Sequence, residues 1–238
     1  MRRLAFFTPL LVPALFAIHA KAASLPDRVI LVGDSTMAST TGYGDALCAR
    51  FTPGTACVNL ARGGRSSGSF RAEGRWDEVQ GLLRNGAGFR KTYILIQFGH
   101  NDQPGKPGRS TDFATEFPAN MTRYVEEARA LGGVPVLVTP LTRRAFKSGY
   151  VHNDLAPWAG TVRHIARTTG TPLVDLNALS LAAVQAMGPK EADRLARVGA
   201  NFDHTHLGPQ GAERFAEIMA RELARRVPDL AAHMRGGR

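Results

Sequence analysis

Cysteine is scarce in this chain, because only Cys48 and Cys57 occur among its 238 residues. Two cysteines nine positions apart do not make a zinc site. They either form a disulfide outside the cytoplasm or remain as two buried thiols, and we expect the disulfide. Closing so short a loop would stabilise the fold by roughly 2–3 kcal/mol.

No apolar run is long enough to span a bilayer. The longest, residues 4–18, contains two prolines and falls short of the roughly 20 residues that a spanning helix needs. It follows two arginines and precedes Ala-Lys-Ala at residues 20–22, which is a small-x-small cleavage pattern. We therefore expect residues 1–22 to be a signal peptide rather than a membrane anchor. The mature protein would be periplasmic or extracellular, without stable membrane insertion.

The sequence also lacks Pro/Gly/Ser-rich linkers, internal repeats and nucleic-acid-binding motifs. A single domain over residues 23–238 is expected, with no nucleic-acid partner, and we expect it to be a monomer. The formal net charge is +10, of which about +7 remains after removal of the signal segment. Such a surface favours an anionic partner. A general arginine-rich composition would explain the same charge, and both interpretations stay open.

Short apolar runs alternate with helical patterns along the chain. Nearly continuous apolar runs are typical of strands that are buried on both faces of a parallel sheet. The predicted strands are residues 29–33, 57–60, 92–98, 134–140 and 172–176. The predicted helices are residues 43–51, 71–83, 113–131, 154–169, 179–187 and 209–227. This alternation predicts an α/β protein, a three-layer α/β/α sandwich around a parallel five-stranded sheet.

Four short polar blocks follow predicted strands or precede the last helix. They are residues 33–36 (Gly-Asp-Ser-Thr), 59–66, 99–102 and 203–206. In parallel α/β sheets, ligands bind outside the carboxyl ends of the strands. The four blocks are therefore expected to meet at one edge of the sheet.

Together the blocks supply the parts of an acyl-transfer site. Ser35 is the candidate nucleophile, His206 its base and Asp203 the carboxylate that orients the base. A helix-capping role for Ser35, and His204 as the base, are the alternatives. The Gly-x-Ser-x-Gly elbow of ordinary α/β hydrolases is missing. Asp203 and the two histidines also offer metal donors, but one tight turn suits a tetrahedral ion poorly, so neither a metal nor another cofactor is expected.

An oxyanion hole needs N–H groups that are already in place where negative charge develops. The Ser35 and Gly64 backbone amides and the Asn101 side chain are the candidate donors. Ordinary turn roles would also explain Gly64 and Asn101.

At these four blocks the sequence resembles the SGNH (GDSL-type) hydrolase superfamily. Within it, the closer likeness is to the rhamnogalacturonan acetylesterase type, carbohydrate esterase family 12. The fourth-position Thr36, Ala-Arg-Gly-Gly-Arg-Ser-Ser at residues 61–67, Phe-Gly-His-Asn-Asp at 98–102 and Asp-x-Thr-His-Leu at 203–207 carry that likeness. The resemblance implies a flavodoxin-like fold and a Ser35–His206–Asp203 triad. It also implies a serine esterase that removes acetyl groups from an acetylated, anionic plant polysaccharide of the pectin type.

Candidate substrate-binding residues are Arg65, His100 and Arg143, and segments 103–112, 142–153 and 197–201 are expected to shape the cleft. Two other functions stay open. A lipase, thioesterase or arylesterase on the same fold would need an apolar channel. A non-catalytic carbohydrate-binding protein would more often have lost the serine, the histidine or the asparagine.

Overall fold

A five-stranded parallel sheet forms the centre of the protein in a computed structural model that describes residues 25–199 and 201–235. The predicted signal segment, residues 1–22, lies outside these residues. The strands are β1 (Asp27–Gly33), β2 (Thr55–Asn59), β3 (Thr92–Gln97), β4 (Val134–Val138), β5 (Phe146–Lys147), β6 (Tyr150–Val151) and β7 (Leu173–Val174). The helices are α1 (Gly44–Cys48), α2 (Ser67–Ala72), α3 (Arg75–Arg84), α4 (Glu116–Ala130), α5 (Ala156–Thr169), α6 (Leu176–Asp193), α7 (Pro209–Arg226) and α8 (Pro228–Ala231).

The strand order in the sheet is β2-β1-β3-β4-β7, and every neighbouring pair is parallel. β1 therefore lies between β2 and β3, so the segments that leave these three strands emerge side by side. The short strands β5 and β6 form a separate antiparallel hairpin. The parallel five-stranded sheet confirms the predicted fold class.

The apolar strands are buried because helices cover both faces of the sheet. Along β1, Val29 and Leu31 pack into one hydrophobic cluster, while Ile30 and Val32 pack into another. The first cluster includes buried side chains of α1, α6 and α7, and the second includes those of α2, α3, α4 and α5. Alternate residues of one continuous apolar run thus serve two cores, which gives the three-layer architecture.

Several predicted boundaries differ from the structure. The helix predicted over 71–83 corresponds to α3 and the last two residues of α2, and most of α2 was not predicted. The two helices are separated at Gly74, whose φ of +72° is left-handed. The last strand of the sheet ends at Val174, because Asp175 caps α6 through a hydrogen bond from the Ala178 N–H. The β5–β6 hairpin and α8 were not predicted, since both are too short to show a periodic pattern.

Cys48 at the end of α1 and Cys57 in β2 form a disulfide, as predicted. The bond ties the first helix to the outer strand of the sheet. Within the part of the chain that the structure describes, no helix has the length and apolar character to cross a membrane.

Candidate active site

Ser35 lies in the turn that follows β1, beneath a surface pocket of about 480 Å³. The buried carboxylate of Asp34 shapes this turn by accepting hydrogen bonds from the Thr36 N–H (2.9 Å) and hydroxyl (2.8 Å). Gly33 is needed because the two neighbouring strands are close together here. A Cβ there would lie 2.8 Å from the Gln97 carbonyl oxygen, so only glycine lets β1 and β3 approach at this point.

Ser35, His206 and Asp203 are joined in series by hydrogen bonds. The His206 Nε2 lies 2.8 Å from the Ser35 Oγ, and its Nδ1 lies 2.7 Å from the Asp203 Oδ2. A carboxylate only accepts, so Nδ1 carries the ring proton and Nε2 is left to accept from the Ser35 hydroxyl. The sequence placed these three residues together, and the structure puts them in the order that proton transfer from serine requires.

Asp203 holds the turn as well as the imidazole. Its Oδ1 accepts hydrogen bonds from the Thr205 N–H (2.9 Å) and the His206 N–H (2.8 Å). Partial burial on its own would raise the pKa of Asp203, but these hydrogen bonds and the His206 ring outweigh it and lower the pKa to about 2. The carboxylate therefore stays ionised under all ordinary assay conditions.

His204 lies in the same turn but makes a different contact. Its Nδ1 is 2.9 Å from the Arg144 carbonyl oxygen, and its ring packs edge-on against Phe202. Neither contact brings the ring to Ser35. In the geometry of this site, His206 is the imidazole that meets the serine.

Arg144 braces the turn from below. This arginine belongs to segment 142–153, which was expected to shape the cleft, but its side chain is fully buried. Its Nη2 donates to the carbonyl oxygens of Asp203 (2.6 Å) and His206 (2.7 Å). Burial lowers the pKa of Arg144 to about 10, although the nearby Asp203 and Asp193 carboxylates oppose the shift.

The three candidate oxyanion donors, Ser35, Gly64 and Asn101, all belong to residues that line the pocket. Among the described residues, the Ser35 and Gly64 backbone N–H groups have no protein acceptor, and both residues line the pocket. Gly64 has a φ of +78°, a left-handed conformation that favours glycine. Asn101 uses one amide hydrogen to bond the Arg65 carbonyl (3.0 Å), which leaves the second hydrogen available. The three groups can together hold an oxyanion.

We predict that Asn101→Ala lowers the turnover number by about 10²–10³-fold, roughly 2.7–4 kcal/mol. The amide would contact the substrate oxygen fully only when that atom gains charge, so the Michaelis constant should change little. Steady-state kinetics on a soluble acetyl ester measure both quantities, and circular dichroism checks the fold. Normal turnover with a raised Michaelis constant would show that Asn101 positions substrate instead.

The three candidate substrate-binding residues have different positions. Arg143 and His100 line the pocket, whereas Arg65 is bound to Glu73 (2.9 Å) and to the Gly63 carbonyl, outside it. Arg143 is fixed by hydrogen bonds to the Asp154 carboxylate, the Gln103 side-chain oxygen and the Thr205 hydroxyl. It therefore connects the turn that carries His206 with Gln103 and Asp154.

His100 is buried beside Asp34, with its Nδ1 3.3 Å from the Asp34 Oδ2. Burial would raise the pKa of Asp34, but the adjacent His100 and the bonds from Thr36 lower it. His100 thus stabilises a carboxylate that shapes the serine turn, in addition to lining the pocket.

Asp102 is also buried and anchors the loop that carries Asn101. Its Oδ1 accepts hydrogen bonds from the Ser67 N–H and hydroxyl and from the Thr111 hydroxyl. Burial raises the pKa of Asp102 to about 6; the bonds from Ser67 and Thr111 oppose the rise, and the charge of Asp34 adds to it.

This shift predicts a pH-dependent difference in stability between the wild type and Asp102→Asn. The unfolded carboxyl has a pKa near 3.9, so the folded state binds more protons between about pH 4 and 6, and its stability falls as pH rises through that window. Asparagine keeps an acceptor oxygen and does not ionise. Between pH 4 and pH 8, the free energy of unfolding of Asp102→Asn in urea should increase relative to that of the wild type by on the order of 2–3 kcal/mol. Parallel plots of unfolding free energy against pH for the two proteins would contradict the prediction.

The three predicted cleft segments all reach the pocket. Segment 103–112 contributes Lys106 and Arg109, segment 142–153 contributes Arg143, and segment 197–201 contributes Arg197. Arg197 and Thr41 were not singled out from the sequence, because neither belongs to a recognisable block. Within the residues that the structure describes, no cluster of three or more His, Cys, Asp or Glu side chains is placed to hold a metal ion, in this pocket or outside it.

A serine, an imidazole and a carboxylate in series, with N–H donors on the same pocket of a three-layer α/β/α fold, define the serine-hydrolase class. The chain belongs to the GDSL-like Lipase/Acylhydrolase family, whose model matches residues 31–214. It is therefore a carboxylic ester hydrolase.

Relatives of known name are similar over most of their length. The rhamnogalacturonan acetylesterase RhgT of Bacillus subtilis (strain 168) is 32% identical over 213 residues, covering 82% of this chain and 88% of that protein. The rhamnogalacturonan acetylesterase of Emericella nidulans is 28% identical, covering 88% of this chain and 90% of that protein.

Solved structures share the fold. The structure of the YxiM protein of Bacillus subtilis has a TM-score of 0.71 at 27% identity; the match covers 85% of this chain but only 57% of that longer chain. The acetylxylan esterase Axe2 of Geobacillus stearothermophilus has a TM-score of 0.60 at 19% identity, covering 86% of this chain and 96% of that one. The second likeness bears on the fold alone.

Proposed function

We propose that this protein is an exported acetylesterase that removes acetyl groups from a pectin-type polysaccharide similar to rhamnogalacturonan. Ser35 is the nucleophile, His206 the general base and Asp203 the residue that orients the imidazole. Acetylesterase activity on polysaccharides is supported by the named relatives of RhgT type. The pectin-type substrate is supported by the charge of the pocket.

The proposed reaction follows from the hydrogen bonds of the site. As the Ser35 oxygen attacks the acetyl carbonyl, its proton passes to the His206 Nε2, and the Ser35 and Gly64 N–H groups and the Asn101 amide hold the oxyanion. The imidazolium then protonates the sugar oxygen as its bond to the acetyl carbon breaks, so the sugar leaves with a free hydroxyl group and acetyl-Ser35 remains. Water, deprotonated by His206, attacks this ester, and acetate leaves as the proton returns to Ser35. The Asp203 carboxylate stabilises the imidazolium in both halves.

The single observation that carries the substrate proposal is the charge of the pocket wall. Four cationic side chains line it and no acidic side chain does so among the described residues; the four are Lys106, Arg109, Arg143 and Arg197. Partial burial lowers the pKa of Lys106, and the nearby charges of Arg143 and Arg109 add to the effect, while the carboxylates of Asp154, which is paired with Arg143, and of Asp34 oppose it. These cations are therefore close enough to interact. A sugar carboxylate beside the acetyl ester would relieve this repulsion.

The lining of the pocket disfavours the other two functions. Its lining side chains among the described residues are polar or charged apart from the two glycines, so a fatty-acyl chain would find no apolar side chain to contact. A binding protein without activity has no need of the Ser35–His206–Asp203 series.

The location is a proposal that rests on two features. The basic and apolar start of the sequence has the pattern of a signal peptide. The Cys48–Cys57 disulfide suits an oxidising compartment outside the cytoplasm. We also propose that the exported protein is a monomer, which its mass in solution would test.

Acetate release from a panel of substrates tests the function. We expect release to be fastest from acetylated rhamnogalacturonan, slower from neutral acetylated xylan, and negligible for long-chain acyl esters. Added salt should weaken activity on the acidic polymer more than on xylan, since exposed charges are screened. A preference for long-chain esters would support the lipase alternative, and equal rates on xylan with no effect of salt would contradict an anionic substrate.

A further inference from the structure

A second pocket, of about 560 Å³, lies next to the catalytic pocket. Its walls are α2, the loop at residues 108–111 and the first two turns of α4. Arg109 lines both pockets, so they adjoin at this side chain. A linear ligand that reaches Ser35 could therefore continue past Arg109 into the second pocket.

Arg109 is free to bind a ligand at the junction. It is exposed, and among the described residues its guanidinium has no protein acceptor. Its Nη1 lies 3.5 Å from the place where a Cβ on Gly64 would be, beside the backbone that offers the Gly64 N–H. A guanidinium in this position can bind a carboxylate through two parallel hydrogen bonds.

The two pockets differ in charge. The catalytic pocket is lined by cations. The second pocket is lined by two cationic side chains, Arg109 and Arg123, and by two carboxylates, Glu73 and Glu116. Among the described residues, the apolar side chains of its lining are only Ala72 and Ala119, which offer little surface to an acyl chain. A balanced polar wall suits a neutral ligand that carries several hydroxyl groups.

Hydrogen-bond acceptors in the second pocket have capacity left. Glu73 uses Oε2 for Arg65 and Arg75, and Glu116 uses Oε2 for the Asp112 N–H, so the Oε1 of each has no protein donor within the described chain. The Asn120 amide nitrogen donates to the Ser67 hydroxyl, while its Oδ1 likewise accepts nothing there. Three acceptors in one pocket match the hydroxyl donors of a sugar ring.

We propose that the second pocket is a subsite for a neutral sugar unit, adjacent in the polymer to the acidic, acetylated unit held at Ser35. Arg109 binds the carboxylate of the acidic unit at the boundary between the two pockets. The inference rests on the proposed function, since it places a second unit of the same polysaccharide. It also gives the direction of the bound polysaccharide, which runs from Ser35 past Gly64 towards α4.

Filling the pocket tests the proposal. Ala72 and Ala119 are exposed on opposite walls, so Ala72→Leu/Ala119→Leu narrows the pocket without disturbing a buried contact. The matched control is Ala182→Leu/Ala186→Leu, at two exposed positions on α6, which packs on the other face of the sheet. The rates to compare are those on acetylated rhamnogalacturonan, its oligosaccharides of increasing length, and a small aryl acetate.

For the filled variant we expect kcat/KM on the polymer to fall about tenfold, mainly through KM, with the aryl acetate rate unchanged. Wild-type kcat/KM should rise when a second sugar is added, and the filled variant should lose that rise. An unchanged polymer rate, or an equal loss on both substrates, would overturn the subsite while leaving the acetylesterase function in place. A wild type that releases no acetate from the polymer would instead refute the proposed function, and the subsite with it.

Discussion

Ser35→Ala should abolish turnover, with a loss on the order of 10⁵–10⁶-fold in kcat. Only the nucleophilic oxygen is removed, and the Ser35 backbone N–H that faces the pocket remains. Because the His206 ring is the hydrogen-bond partner of Ser35 Oγ within the described structure, the fold and the affinity for polymer should be nearly unchanged. Acetate release and the midpoint of thermal unfolding are the quantities to measure.

The matched control is Ser39→Ala in the same loop. Its hydroxyl is exposed and donates to Asp45 (3.0 Å), so the variant loses a serine oxygen of similar sequence context without touching the pocket. We expect it to keep wild-type kinetics. A purified Ser35→Ala protein that keeps more than a small fraction of the esterase rate would exclude Ser35 as the nucleophile.

His206→Ala should cost about as much as Ser35→Ala, because the serine hydroxyl then has no base. The double variant Ser35→Ala/His206→Ala should be no slower than either single variant, since residues that act as a unit are strongly non-additive. Kinetics of the three proteins on one acetyl ester test both statements.

His204→Ala is the matched control for the base. It removes a ring from the same turn and loses one hydrogen bond to the Arg144 carbonyl, which is worth about 1 kcal/mol of stability. We expect its turnover to stay close to that of the wild type. A large loss for His204→Ala together with a small loss for His206→Ala would reverse the assignment of the base.

The position of the site followed from the sequence because parallel strands deliver their carboxyl ends to one edge. Three blocks could be attached to strands whose apolar runs were recognisable, and the structure does place their turns beside one another after β1, β2 and β3. The spacing of Asp203 and His206 was equally informative, since three residues of turn bring the carboxylate back to the ring.

The environment of each arginine could not be predicted in the same way. Arg143 and Arg144 are neighbours of identical chemistry, yet one lines the pocket and the other is buried beneath the 203–206 turn. What separates them is the set of carbonyl groups that the distant turn presents to Arg144. These hydrogen-bond partners are some 60 residues away in sequence, so no local sequence pattern indicates them.

The second pocket was missed for a related reason. Its walls come from α2, α4 and the loop between Asp102 and Asp112, and the sequence predicted one helix over 71–83 where two occur. Gly74 separates α2 from α3. α2 packs beside α4, and both helices line the second pocket.

The most direct test that Ser35 performs the deacetylation is to titrate the protein with a fluorophosphonate. After each addition, the rate of acetate release from acetylated rhamnogalacturonan is measured. The reagent phosphonylates an activated serine, and peptide mass spectrometry locates the label. We predict that the rate of acetate release falls in proportion to the fraction of Ser35 labelled and reaches zero at one label per chain, with the polymer protecting against labelling. Full activity in protein whose Ser35 is completely labelled, or inactivation with the label on another residue and Ser35 unmodified, would contradict it.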